Sequence, residues 1–219
     1  MRRLIEGALR FQRDIFPQQA EMYRQLATGQ KPQWLLIACS DSRVVPSLLV
    51  QAGPGELFIC RNAGNIVPAH GDHSGGVAAT IEYAVQVLGV EHVIVCGHSD
   101  CGAMKAVLHP ESVTHLPAVA HWVAYAERAR AVALATGHGE DAALLDVVTK
   151  ENVLAQLDNL RTFPCIAAKL RTGALEVHGW VYDIAHGSFV AWNPRTDTWR
   201  PIAEILEDDE PVSANVRRA

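Results

Sequence analysis

The chain has 219 residues, of which 49% are hydrophobic and 20% charged, a composition typical of one globular domain with a sizeable core. Its formal net charge of -5 argues against a nucleic-acid partner, because no basic stripe complements the negative charge of phosphates. The charged N-terminus does not resemble a signal peptide, and no uncharged apolar stretch is long enough to span a membrane. The sequence therefore predicts a cytoplasmic protein with no membrane partner.

The cysteines also favour a reducing compartment. Their number, five, is odd and their spacing is irregular, which suits reduced thiols and metal ligation better than a disulfide framework. Cys60, Cys96 and Cys165 have apolar neighbours and are predicted to be inert core residues. Cys39 and Cys101 are the two that remain as candidates for chemistry.

Residues 1–28 carry apolar side chains at helical spacing, interrupted by Pro17. This pattern predicts two short amphipathic helices before the first core strand. We expect this N-terminal helical arm to pack on a partner subunit, because no packing partner within the chain is evident from the sequence. Residues 29–204 are then predicted to form the main domain, and residues 205–219 a polar C-terminal tail.

Three short apolar runs, at residues 34–37, 57–60 and 92–95, are predicted strands that alternate with helical patterns. Nearly continuous apolar strands are typical of a parallel sheet with helices on both faces. Residues 175–183 and 188–192 flank a His-Gly turn and predict a hairpin, which makes one strand antiparallel. The predicted fold class is therefore α/β, with a mostly parallel central sheet, one antiparallel edge strand and flanking helices.

Two longer helices are predicted between the third strand and the hairpin. Apolar residues recur at helical spacing over residues 117–134 and again over residues 142–160. The second helix includes Asn152, Gln156 and Asn159 among its polar positions.

Candidate metal ligands follow two of the predicted strands. Cys39 ends the first strand region, and His98 and Cys101 follow the third. Because parallel-sheet enzymes place their chemistry at the carboxyl ends of strands, these side chains are expected to meet. Cys101 also begins a predicted helix, whose dipole favours a thiolate. Two thiolates and one imidazole leave a fourth position open, which is the ligand set of a catalytic zinc site. The alternative is two structural thiols and a surface histidine.

Asp41 and Arg43 follow Cys39 at two-residue spacing, so that all three side chains can project to the same side of an extended loop. One interpretation is an ordinary surface ion pair. In the other, Arg43 keeps Asp41 ionised and oriented, and Asp41 accepts a hydrogen bond from a zinc-bound hydroxide. The same carboxylate can instead bind the zinc ion and close the open position.

The Cys-x-Asp-x-Arg motif at residues 39–43 and the His-x-x-Cys motif at residues 98–101 resemble those of the β-class carbonic anhydrases. The likeness continues through residues 61–68, 81–85, 97–104, 117–119 and 178–183. Within that family, the chain looks most similar to the bacterial enzymes encoded beside cyanase, and next to the plant chloroplast type. The resemblance implies reversible hydration of CO2 to bicarbonate and a proton, by attack of zinc-bound hydroxide on CO2. It also implies one Zn2+ per subunit, held by Cys39, His98 and Cys101.

The resemblance further implies a homodimer, or a tetramer or octamer built from dimers, with the substrate pocket at the dimer interface. Gln30 matches the family position that hydrogen-bonds bicarbonate, and Phe58 and Tyr83 match positions that line an apolar slot for CO2. Gly102 is expected to offer a backbone N–H near the metal. Without the resemblance, Gln30 is interpreted as a loop residue, Phe58 as strand core and Tyr83 as helix core.

One position departs from the bicarbonate-regulated branch of the family. That branch has a Trp three residues before the first zinc cysteine, where this chain has Leu36, although Arg61 matches the arginine of the regulatory site. An arginine alone does not make an anion site. We therefore expect no inhibition by bicarbonate, and a resting state with water on the zinc ion and Asp41 paired to Arg43.

Two other functions stay open. The same scaffold with a narrower pocket can hydrolyse carbon disulfide or carbonyl sulfide, but the match at Gln30, Phe58 and Tyr83 favours CO2. A non-catalytic sensor of CO2 or bicarbonate is the second alternative. Intact Asp41 and Arg43 argue against it, because a sensor has no need of them.

Overall fold

The computed structural model describes residues 1–71, 75–137 and 139–205. Within them, one sheet contains six strands. Their bounds are Trp34–Cys39 (β1), Leu57–Asn62 (β2), His92–His98 (β3), Glu176–Asp183 (β4), Ser188–Asn193 (β5) and Thr198–Pro201 (β6). The spatial order is β2-β1-β3-β4-β5-β6.

The sheet is mostly parallel, which confirms the predicted fold class. β1 pairs in parallel with β2 and β3, and β3 pairs in parallel with β4. β5 and β6 complete one edge in antiparallel pairing. The antiparallel edge therefore has two strands where the sequence predicted one. The second, β6, reads Thr-Trp-Arg-Pro and has no apolar run by which a strand could be recognised.

Helices connect and cover these strands. In the described ranges, the α-helices are Arg2–Arg10 (α1), Ala20–Leu26 (α2), Pro46–Leu49 (α3), Gly76–Glu82 (α4), Gly102–Leu108 (α5), Pro117–Val123 (α6), Glu127–Thr136 (α7), Asp141–Arg161 (α8) and Pro164–Thr172 (α9). The single helix predicted over residues 117–134 is divided into α6 and α7 by a 3-10 turn, Ala124–Ala126. None of the described helices is both long and apolar enough to cross a membrane.

Helix α8 packs unusually close to the strands that carry the site. A Cβ atom at Gly97 of β3 would lie 3.0 Å from Val153 Cγ2, and one at Gly179 of β4 would lie 2.9 Å from Val153 Cγ1. Glycine at these two positions therefore lets the helix approach the sheet. As a result, Asn152 and Gln156 of α8 are fully buried beside the loop that follows β2.

The N-terminal arm is helical, as predicted, and it bends at the 3-10 turn Phe16–Gln19, which contains Pro17. Neither α1 nor α2 has a buried residue. Leu4 and Leu9 of α1 are 74% and 56% exposed. Since exposed apolar area is unfavourable in water, this face of the arm suits contact with a second chain, and its packing on a partner subunit stays a prediction.

The predicted division into arm, catalytic domain and tail also stays a prediction. Residues 206–219 of the predicted tail lie outside the described residues. So does Ser74, which the sequence places at the start of the helix observed as α4.

Candidate metal centre

The carboxyl ends of β1 and β3 lie side by side because the two strands are parallel neighbours, and they carry Cys39 and His98. Cys101 directly precedes α5 at the same edge of the sheet. The three ligand atoms lie within 4.8 Å of one another, and the two Sγ atoms are 3.9 Å apart. All three side chains are buried. The structure thus assembles the three predicted ligands, which we name the carboxyl-end cluster.

His98 presents a bare ring nitrogen to this cluster. Its Nδ1 atom donates a hydrogen bond to the carbonyl oxygen of Ser99 at 2.8 Å, and this places the ring proton on Nδ1, since a carbonyl can only accept. Its Nε2 atom therefore carries the lone pair. Nε2 is buried and has no hydrogen-bond partner among the described residues. A buried polar atom without a partner lowers the stability of the fold unless it binds an ion. The position of Nε2 therefore indicates a metal ligand.

The donor set fits a zinc ion. Tetrahedral zinc with Zn–S distances of about 2.3 Å places two sulfur ligands about 3.8 Å apart. The Sγ atoms of Cys39 and Cys101 are 3.9 Å apart, close to that separation. Two thiolates and an imidazole also favour a borderline or soft ion over Mg2+ or Ca2+. With three protein donors, one coordination position is left for water or substrate.

The two ligand thiols titrate as a pair. The pKa of Cys39 lies well below the usual range of a thiol, first because Cys101 donates its S–H to the Cys39 sulfur, and also because the Gly64 N–H donates to that sulfur at 3.3 Å. The pKa of Cys101, the donor, is raised. By contrast, burial raises the pKa of Cys96 to about 12 and also raises that of Cys60. Cys39 is therefore the one cysteine whose pKa is lowered toward the thiolate form.

Asp41 lies at the rim of the cluster and is held by Arg43. The Arg43 Nε and Nη2 atoms donate to the two carboxylate oxygens at 3.0 and 2.8 Å, and the Arg43 backbone N–H adds a third bond. These bonds hold the pKa of Asp41 well below its usual range. Asp100 accepts from Arg43 Nη1 at 2.9 Å and so fixes the other side of the guanidinium. The Asp41 Oδ2 atom lies 4.0 Å from His98 Nε2, which places an ionised carboxylate beside the open position.

Buried amides of α8 support the loop behind Cys39. The Gly64 carbonyl accepts from Asn152 Nδ2 at 3.0 Å, and the Asn152 Oδ1 atom accepts from Gln156 Nε2 at 2.9 Å. The Val67 N–H donates to Gln156 Oε1 at 2.8 Å, and Asn159 Nδ2 donates to the Val67 carbonyl at 2.8 Å. We call these three α8 residues the amide ladder. It fixes the loop whose N–H contacts the Cys39 sulfur.

The predicted substrate-pocket residues lie away from this chain's own cluster. Phe58 pairs with Leu35 in the sheet, four residues before Cys39. At about 3.3 Å per residue, this separation is about 13 Å along the strand. Tyr83 packs on Phe58 with ring centroids 5.9 Å apart and is 46% exposed. Gln30, which is also exposed, precedes β1. These three residues therefore lie toward the amino end of β1.

The remaining predicted positions have clear places in the fold. Gly102 is the first residue of α5, directly after the ligand Cys101. Leu36 is buried in an apolar cluster on the other face of the sheet. Arg61 donates to the carbonyl oxygens of Cys39 and Asp41 at 2.7–2.9 Å, so its guanidinium braces the loop around the metal ligands.

Several contributors were not predicted from the sequence. The Ser99 carbonyl and the Gly64 N–H act through the backbone, so their side chains give no signal. Asp100 and the amide ladder act through side chains, but their partners lie far away in the chain. A glycine in the polar loop directly after a parallel strand was the one available hint, because such loops approach ligands closely.

The fold and the cluster define an α/β metalloprotein, with a buried Cys2His ligand set at the carboxyl ends of parallel strands and one open coordination position. The family model described as carbonic anhydrase matches residues 34–189. Carbonic anhydrase of Pseudomonas aeruginosa is 54% identical to this chain over 207 residues, which cover 94% of each protein.

Two solved structures extend the comparison. The β-carbonic anhydrase CcaA superposes with a TM-score of 0.88 at 42% identity, covering 92% of this chain and 91% of that one. A β-carbonic anhydrase of Sordaria macrospora, described as tetrameric, superposes with a TM-score of 0.75 at 28% identity, covering 87% and 95%. The chain belongs to the β-class carbonic anhydrases, which are lyases that hydrate CO2 reversibly.

Proposed function

We propose that this chain catalyses reversible hydration of CO2 to bicarbonate and a proton with one zinc ion held by Cys39, His98 and Cys101. The observation that carries this proposal is the buried, unpartnered Nε2 atom of His98, which faces two sulfur atoms and lies 4.0 Å from the Asp41 carboxylate. When bound, the zinc ion supplies a Lewis acid that lowers the pKa of water to about 7. The residues around it orient the reactants.

Asp41 is the group that orients the attacking water. An ionised carboxylate only accepts hydrogen bonds, and the contacts from Arg43 keep Asp41 ionised and fixed in one rotamer. The Asp41 Oδ2 atom accepts one bond from Arg43 and lies 4.0 Å from His98 Nε2, so it can accept a further hydrogen bond from a water molecule at the open position. This contact turns a lone pair of the water oxygen toward the carbon atom of CO2, which is a positioning effect.

Arg43 and its second partner, Asp100, keep this arrangement rigid. The guanidinium contacts Asp41 on one side, and on the other side contacts both the carboxylate and the backbone carbonyl of Asp100. Lys105 also pairs with Asp100. Since Asp100 adjoins the ligand Cys101, the network links the orienting carboxylate to the segment that carries a metal ligand.

We propose that a second copy of the chain completes the substrate pocket. Gln30, Phe58 and Tyr83 lie near the amino end of β1, too far from the metal ligands of their own chain to reach them, and Gln30 and Tyr83 are exposed. A neighbouring subunit that contributes these residues would add an amide for bicarbonate and an apolar wall for CO2. The exposed arm and the tetrameric Sordaria macrospora relative support a homodimer or a higher assembly of dimers.

A cytoplasmic location also remains a proposal. All five cysteines are free, including the three outside the carboxyl-end cluster. Reduced thiols of this number fit a compartment that keeps cysteines reduced.

Stopped-flow CO2 hydration tests the proposed function. Zinc-replete wild-type enzyme is expected to be active, and Asp41→Asn is expected to lower kcat by about 100-fold or more while zinc content stays at one per subunit. Asp158→Asn is the matched control, because Asp158 is another arginine-paired carboxylate, bound by Arg128 and Arg161, but lies on the surface of α8. It should behave as wild type.

Two outcomes would overturn the proposal. Hydrolysis of carbon disulfide or carbonyl sulfide by a zinc-replete wild type that does not hydrate CO2 would establish the alternative enzyme. Absence of turnover on all three substrates would establish a binding protein instead.

A further inference from the structure

A second group of metal-ligating side chains lies at the opposite end of the sheet. His92 begins β3, and Glu176 and His178 lie at the start of β4. Parallel pairing sets His92 opposite Glu176, and Glu176 and His178 share one face because side chains alternate along a strand. We name this group the amino-end cluster. It takes no part in the function proposed above.

The atoms of this cluster are spaced as ligands of one ion. His92 Nδ1 lies 3.2 Å from His178 Nε2, and the Glu176 Oε2 atom lies 3.7 and 3.6 Å from these two nitrogens. A tetrahedral ion with bonds of about 2.0–2.1 Å separates its ligand atoms by about 3.3–3.4 Å. The three observed separations bracket this value, so an ion fits between the atoms with small side-chain shifts.

The ring of His92 is also oriented by its surroundings. It stacks on Trp34 with the ring planes 22° apart, and its Nδ1 atom faces His178 of β4. The ring centroids of His92 and His178 are 5.4 Å apart. The contact at 3.2 Å is a hydrogen bond between two ring nitrogens, and a cation bound by both nitrogens can replace the hydrogen between them.

We propose that His92, Glu176 and His178 form a second metal site, for a divalent transition ion such as Zn2+, Co2+ or Ni2+. Two imidazoles and one carboxylate favour these ions over Mg2+ and Ca2+, which prefer oxygen ligands. The three ligands carry a total charge of -1, so a site that holds a divalent ion has a net positive charge. The remaining coordination positions of the ion are open to water. Because it joins the first residues of β3 and β4, an ion here also crosslinks two adjacent strands.

Cobalt binding to the zinc-loaded enzyme tests this proposal. With zinc in the carboxyl-end cluster, Co2+ titrated into wild type should bind with one further equivalent per subunit. Its visible d–d absorption should appear without the near-ultraviolet thiolate-to-cobalt band, and without release of zinc. The bound Co2+ should also raise the thermal midpoint of unfolding, since the ion binds the folded state alone.

Substitutions of the three residues test whether they bind the added equivalent of Co2+. His92→Ala and His178→Ala should each weaken Co2+ binding at least tenfold, and Glu176→Gln, which keeps the shape of the side chain, should also weaken it. His186→Ala is the matched control because His186 is an exposed histidine on the β4–β5 turn that pairs with Asp183 and lies outside the amino-end cluster. It should retain the added equivalent. Zinc content and circular dichroism of each variant establish that the fold is intact.

Three results would overturn the proposal. The first is a wild type that binds no Co2+ beyond the zinc already present. The second is Co2+ uptake that appears with the thiolate band and an equal release of zinc, which would place the ion in the carboxyl-end cluster. The third is an added equivalent that survives both histidine substitutions.

Discussion

The two ends of the central sheet each gather three metal-ligating side chains, but in opposite settings. In the carboxyl-end cluster, no ligand is more than 5% exposed. In the amino-end cluster, the side chains are between 34% and 65% exposed. Burial and a supporting hydrogen-bond network fix rotamers before an ion arrives, whereas exposed ligands must be ordered when it binds. The difference predicts tight, permanent binding at one end and weaker, exchangeable binding at the other.

Removing a buried ligand should have the largest effect. Cys39→Ala leaves two of the three protein ligands, so we expect loss of zinc and a fall in kcat/KM of about 1000-fold or more. Cys96→Ala is the matched control, because Cys96 is also buried and lies on the adjacent strand β3. It should keep zinc and lose only about 1 kcal/mol of unfolding free energy. Metal analysis and stopped-flow hydration check both variants, and zinc retained by Cys39→Ala would contradict the ligand assignment.

Disturbing the loop behind Cys39 should have the next largest effect. Gly64 has φ +80°, and an added Cβ would lie 2.9 Å from the Cβ of Ala103, so Gly64→Ala should lower the unfolding free energy by about 2–4 kcal/mol. Gly71→Ala tests strain alone, since Gly71 has φ +100° and no atom of the described residues lies within 4 Å of the new Cβ. The Gly71→Ala substitution should lower the free energy of unfolding by about 1 kcal/mol. Denaturant unfolding compares the two variants. Equal losses of unfolding free energy would show that the close contact at Gly64 does not contribute to the effect.

Breaking the amide ladder should have a moderate effect. Asn152→Ala leaves the Gly64 carbonyl and the Gln156 amide without these partners in a buried region. We expect a loss of about 2 kcal/mol in the free energy of unfolding and faster release of zinc to a chelator. Asp146→Ala is a control on the exposed face of α8, where a surface ion pair with Lys150 is lost. If Asn152→Ala is as stable as this control, the amide ladder does not support the loop behind Cys39.

The smallest effect is expected at the amino end. Glu176→Gln removes the charge of a side chain that is 65% exposed, so the unfolding free energy in buffer without added metal should change by no more than about 0.5 kcal/mol. Denaturant unfolding measures it. A loss near 2 kcal/mol would mean that the amino end is organised as tightly as the carboxyl end, and the contrast between them would fail.

The sequence predicted the features that depend on local pattern. The apolar runs of β1 to β4 were enough to predict the parallel sheet. The positions of Cys39, His98 and Cys101 at or just after strand ends were enough to predict that these three side chains meet. Strand β6 was missed because its residues alternate without an apolar run. The local signal was strong where a strand is buried on both faces, and weak at the sheet edge.

Features that depend on pairing could not be predicted in the same way. His92 and His178 are 86 positions apart, and only the register of β3 with β4 brings them together. Asn152 likewise meets Gly64 across 88 positions, because α8 packs close to the sheet. The local composition of neither segment indicates which distant residue it contacts. These contacts could therefore be identified only from the structure.

The position of Gln30, Phe58 and Tyr83 on this chain has a consequence for which active site a substitution impairs. If a neighbouring copy completes each pocket, then a chain holds its own metal but lends its pocket residues to another. A substitution at Gln30 would leave the metal site of the altered chain untouched and impair the turnover of its neighbour. Metal content is then a property of the single chain, whereas catalysis is a property of the pair.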